Sequence, residues 1–150
     1  MADEFDIWIK RIKAVEREYL AARFSVDRSL QQVRQDPTLL TGDLRVREIE
    51  RAAEFLEGTY IMRIFAEFET SLRIFLQRAR RRPPPSKTRD LLESVAALRR
   101  IPLEQLANAH AVRDYRNVLV HEREAEVDPL TITEARGRLC VYFSFLPRNW

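Results

Sequence analysis

Apolar residues recur at steps of three and four through Phe5, Trp8, Ile9, Ile12, Val15, Tyr19, Ala22, Val26, Leu30 and Val33. That spacing lines one side of an α-helix, and a stripe held over so long a run commits the chain to long helices. Asp36-Pro37 ends the run, because a residue before proline is pushed out of the helical region. Thr41-Gly42-Asp43 then supplies turn and cap chemistry.

A second run, from about Leu44 to about Arg80, passes through Ile49, Ala52, Ala53, Leu56, Tyr60, Ile64, Phe68, Leu72, Phe75, Leu76 and Ala79. Gly58 weakens it by about 1 kcal/mol relative to alanine, and Pro83-Pro84-Pro85 stops it. A shorter helix is predicted from about Thr88 to Arg100, with Leu91, Leu92, Val95 and Leu98 as its apolar side. Pro102, placed as a first-turn proline, opens a fourth that extends to about His121. After the Asp128-Pro129 turn, Thr131 and Glu134 match a capping box and open a last helix containing Ala135, Leu139, Tyr142 and Phe143.

Glycine occurs only at positions 42, 58 and 137. That is too few for the turns of a sandwich or barrel, and too scattered for a phosphate loop. The expected fold is all-α: a single domain over residues 1–150, built as an antiparallel bundle of about five helices. The single Cys140 rules out an internal disulfide and a cysteine-based zinc site. No metal site or cofactor is expected. No apolar run reaches the roughly 18 residues of a membrane span, and the acidic start of the chain is no signal peptide. A cytoplasmic location, away from membranes, is the expectation.

Charge is unevenly placed. Between Arg73 and Arg100 there are nine Lys or Arg residues and only Asp90 and Glu93 to oppose them, a balance of +7 in a chain whose net charge is +3. Such a concentration suits a polyanion. It equally suits solvated helix ends, where cations favour the dipole.

The two histidines, His110 and His121, share the fourth helix. At 100° per residue and with Arg113 as origin, Arg116 falls at about −60°, Asn117 at about 40°, His110 at about 60°, His121 at about 80° and Asp114 at about 100°. Ala111, Val112, Tyr115, Val118 and Leu119 fill the opposite side, which is expected to face the core. The polar side therefore carries imidazole, guanidinium and amide groups. Imidazole can take or give a proton near neutrality. Guanidinium presents a fixed fork to phosphate oxygens. A polar side that merely faces water is the plainer explanation of the same pattern.

The stretch Val112-Arg113-Asp114-Tyr115-Arg116-Asn117-Val118-Leu119-Val120-His121-Glu122 resembles the signature of the HEPN superfamily, in which an Arg, usually followed by a polar residue, precedes a His by four to six positions. The earlier Phe65-Ala66-Glu67-Phe68-Glu69 resembles the aromatic-and-Glu segment on a preceding long helix of such families. The resemblance implies a metal-independent endoribonuclease, often a toxin or defence component, working as a homodimer with the motif at the two-fold. RNA would be the substrate, and an antitoxin or defence-system protein a further partner. Carried onto this chain, His121 is the general base or acid on the ribose 2′-hydroxyl, Arg116 stabilises the phosphorane and Asn117 positions them. Arg113, Arg123 and His110 are candidate substrate contacts. Glu69 and Asp114 are candidate supporting acids, Glu69 through an ion pair to an arginine of the motif helix. Where one subfamily has a Tyr two positions after the His, and is silenced by nucleotide transfer, this chain has Arg123. A non-catalytic HEPN-like module that binds nucleotide or a partner protein is the alternative.

Overall fold

The computed structural model describes residues 2–121 and 126–150. Among these the chain is all-helical: α1 (Glu4–Gln35), α2 (Val46–Arg80), α3 (Thr88–Arg99), α4 (Leu103–His121) and α5 (Ile132–Phe143), with a short 3-10 turn at Pro37–Leu39 after α1. No helix among the described residues is long and apolar enough to cross a membrane.

The ends lie where local chemistry places them. The Asp3 carboxylate accepts the Asp6 amide at 2.8 Å and caps α1. Thr131 and Glu134 form a reciprocal capping box on α5. The start of α2 differs from expectation by two residues. Gly42 takes the turn at φ +64°, and the cap falls not on Asp43 but on Arg45, whose amide donates to Glu48.

α1 and α2 form an antiparallel hairpin. Arg34 near the end of α1 pairs with Glu50 near the start of α2, and Arg78 near the end of α2 pairs with Glu4 at the start of α1. α4 runs antiparallel to α2, with Leu119 against Gly58 and Arg116 against Glu69. α5 runs parallel to α2: the Ile132 amide donates to Glu57, and Tyr142 meets Phe68 edge-on.

The core fills the space between α2 and the other four helices. Ile12, Ile61, Ile64, Phe65, Phe68, Leu72, Leu91, Leu92, Leu139 and Phe143 are fully buried, each contributing roughly 1.5–3 kcal/mol relative to exposure. Tyr142 is buried as well and donates its hydroxyl to the Leu92 carbonyl at 2.7 Å. Burial pushes its phenol well above the ordinary range.

The α1 stripe is only partly used. Trp8, Ile12, Val15, Tyr19 and Val33 are buried, but Ala22, Val26 and Leu30 are half-buried. Past Tyr19 and before Glu57 the hairpin extends beyond the helices that cover its other half, and Val33 and Ala53 are the buried residues of this arm.

Candidate functional site

α4 faces the core with only part of the side its apolar residues suggest: Val112 is buried and Tyr115 and Leu119 pack against the core. Its buried residues are Leu106, Ala109 and Val112, whose line continues into Arg116 and Leu119. Ala111, Tyr115 and Val118 are half-buried. α4 lies among α2, α3 and α5, so inward-facing positions span more than half of its circumference, and Arg116 belongs to them.

Arg116 is held from two directions. Its Nη2 donates to Glu69 Oε2 at 3.1 Å, and its guanidinium carbon stands 4.9 Å from the centre of the Phe65 ring. The ion pair expected between Glu69 and an arginine of the motif helix is therefore present. Glu69 is itself fixed: its Oε1 accepts from Arg73 Nη2 at 2.6 Å and from Thr88 Oγ1 at 3.0 Å. Arg73 also donates to the carbonyls of Pro85 and Ser86. One carboxylate thus joins α2, α4 and the start of α3. Most of each side chain is out of solvent, Glu69 being 19% and Arg116 22% exposed, where charge-assisted bonds are stronger than at the surface.

The other motif residues do not converge on Arg116. Arg113 folds onto its neighbour Asp114, with 3.0 and 2.6 Å bonds to one oxygen, and its Nη1 is buried without an acceptor among the described residues. His110 is turned toward α3, where its Nε2 lies 3.0 Å from Glu93 Oε1, and its Nδ1 is buried with no partner among the described residues. Asn117 is half-buried, and His121 stands exposed at the end of α4. Arg123 lies outside the described residues. His121 and Arg116 are five positions apart, about 140° around the helix. One points outward at the helix end while the other points into the bundle.

Arg73 binds Glu69, whereas the Arg78–Arg82 run lies elsewhere. Leu119, two residues before His121, rests on Gly58. Arg80 is 22 positions further along α2, which at 1.5 Å per residue is about 33 Å away. Arg78–Arg82 therefore form no basic surface around His121 of the same chain.

Arg73, Thr88, Phe65 and Glu93 complete these contacts. Arg73 was findable from its i+4 spacing to Glu69. Thr88 and Glu93 reach the site only through packing between distant helices. No group of three or more His, Cys, Asp or Glu side chains suited to a metal ion occurs among the described residues. Cys140 is half-buried, and burial pushes its thiol upward. No family model, curated protein or solved structure matches this chain.

Proposed function

We propose that this chain is a metal-independent endoribonuclease of HEPN type, acting on RNA as a cytoplasmic homodimer. The observation that carries this reading is the division of the motif. Each protomer offers an anchored guanidinium at Arg116 and, facing another way, an exposed imidazole at His121. A two-fold axis beside α4 would set the His121 of one copy against the Arg116 of the other, since an isologous interface presents the same residues twice.

RNA carries its own nucleophile in the 2′-hydroxyl. One His121 removes its proton, and the oxygen attacks phosphorus. The 5′-oxygen leaves with a proton from solvent water, giving a 2′,3′-cyclic phosphate and a 5′-hydroxyl, so each site needs one His121 and the Arg116 of the other copy. Arg116 balances the charge that builds on the phosphorane, and its fixation by Glu69 and Phe65 removes the need to reorganise during reaction. Asn117 orients the reacting groups without adding charge. Proton transfer contributes about 10²–10⁴-fold, and a preorganised charge donor about 10²–10³-fold. A toxin or defence role, with an antitoxin or system protein as partner, follows from the resemblance alone.

One observation favours the alternative, a non-catalytic module that binds nucleotide or a partner protein: Arg116 is already occupied by Glu69 and Phe65. Incubating the protein with RNA in EDTA separates the two. Cleavage to cyclic phosphates that is lost in His121→Ala supports the nuclease, and intact RNA in every sample supports the module.

A further inference from the structure

At the end of the molecule opposite His121, α2 and α3 terminate side by side. Both stop on an arginine in the left-handed region, Arg81 at φ 52° and Arg100 at φ 53°. Glycine or asparagine is the usual occupant of such a position, since a side chain there is strained. Arginine at both ends, in a chain that spends glycine elsewhere, points to a use for the side chain.

Neutralising helix dipoles is too small a use. The two C-termini amount to about −1 in total. Around them stand Arg78, Arg80, Arg81, Arg82, Arg99 and Arg100. Arg148 joins them from the C-terminal segment, and Glu4, Asp3 and Asp6 are the acids that pair there with Arg78 and Arg148. Seven cations against three carboxylates and the dipoles leave a surplus of about +3. Arg80 and Arg99 are fixed to the Ser94 and Phe145 carbonyls. Arg81, Arg82 and Arg100 are exposed and enter none of the ion pairs among the described residues.

The surface is grooved. One groove, of about 560 Å³, is lined by Ile74, Gln77, Arg78, Arg81, Arg82 and Pro83. Beside it a cleft of about 360 Å³ has apolar walls from Phe75, Leu98, Pro147 and Trp150, flanked by Arg78 and Arg99. An apolar slot beside guanidinium forks matches a nucleotide, with base in the slot and phosphates on the arginines. A flat bilayer does not need such a slot. We infer that this end is a docking surface for single-stranded RNA, about 33 Å along α2 from the His121 end of α4 and about 17 Å from Arg116. The choice of RNA as the polyanion rests on the nuclease reading, and the surface itself rests on the arginines and the grooves.

The test uses the full chain and a fluorescent single-stranded 2′-O-methyl RNA, which binds but cannot be cleaved. Arg81→Gly with Arg100→Gly suits the backbone, so the variant melts at the same or a higher temperature. Adding Arg82→Gln removes the third exposed guanidinium. The triple variant binds at least about tenfold more weakly, and its log-log salt slope falls by about 2. Undiminished RNA binding by that variant overturns the proposal. So does absence of RNA binding by the wild-type protein, or tighter binding to phosphatidylserine vesicles than to RNA. Wild-type protein that binds this RNA but never cleaves its ribose counterpart sinks the nuclease reading and leaves the docking surface standing.

Discussion

Arg116 Nη2 donates to Glu69 Oε2 at 3.1 Å across 47 positions of sequence, and the same carboxylate also holds Arg73 and Thr88. The motif helix is tied to the longest helix of the bundle through a charge rather than through apolar packing alone. Its removal has a consequence for stability.

Glu69→Ala strips the acceptor from two mostly buried arginines and one hydroxyl. Breaking one side of a fully buried pair costs about 3–5 kcal/mol, and the residual exposure here lowers the expectation to about 2–3 kcal/mol. Urea denaturation measures it. Glu69→Gln keeps an acceptor and loses less.

Gly58 controls how closely α4 approaches α2. A Cβ at this position would lie 3.1 Å from Leu119 Cδ2, the end of a half-buried side chain that can yield a few tenths of an ångström. Gly58→Ala therefore stabilises by up to about 1 kcal/mol through helix propensity. Gly58→Leu displaces Leu119 and the last turn of α4, costing about 1–3 kcal/mol, and lowers any RNA cleavage by moving His121.

Tyr142→Phe removes a buried hydroxyl and the second donor to the Leu92 carbonyl, which also serves the backbone ladder of α3. The expected loss is about 1–2 kcal/mol, read from thermal or chemical denaturation.

The α5 cap gives an acid limb to stability. Glu134 is held below the usual carboxylate value, first because it accepts the Thr131 backbone N–H and then because of the Thr131 side chain. A depressed folded pKa means stability that is present above the unfolded value of about 4.3 and is lost as pH falls through the folded one. Glu134→Gln should therefore melt below wild type at pH 7, with the gap closing below about pH 4.

Helix boundaries were legible because prolines and capping pairs announce themselves locally. Asp36-Pro37, Pro83-Pro84-Pro85, Ile101-Pro102 and the Thr131–Glu134 pair bracket the observed helices to within two residues. The pairing of Glu69 with the motif helix was anticipated only through the resemblance of the Phe65–Glu69 segment, since Glu67 stands two positions away and no local pattern chooses between them. The side of α4 that turns inward was legible only in part, through Val112, Tyr115 and Leu119, because a helical wheel assumes one buried side while α4 has neighbours on three. The left-handed stop at Arg81 and Arg100 was not visible, since arginine carries no turn signal. The separation of the arginine cluster from His121 depends on α2 running its full length past α4, a relation that no local pattern encodes.

The most direct measurement is RNA cleavage in EDTA by two variants, Arg116→Gln and His121→Ala, alone and mixed. If each site joins Arg116 of one copy to His121 of the other, either variant alone is inactive. Random mixing then gives half heterodimers with one intact site of two, restoring about one quarter of wild-type activity. A mixture that stays inactive beside an active wild type contradicts the shared site, and a wild type that leaves RNA intact contradicts the nuclease itself.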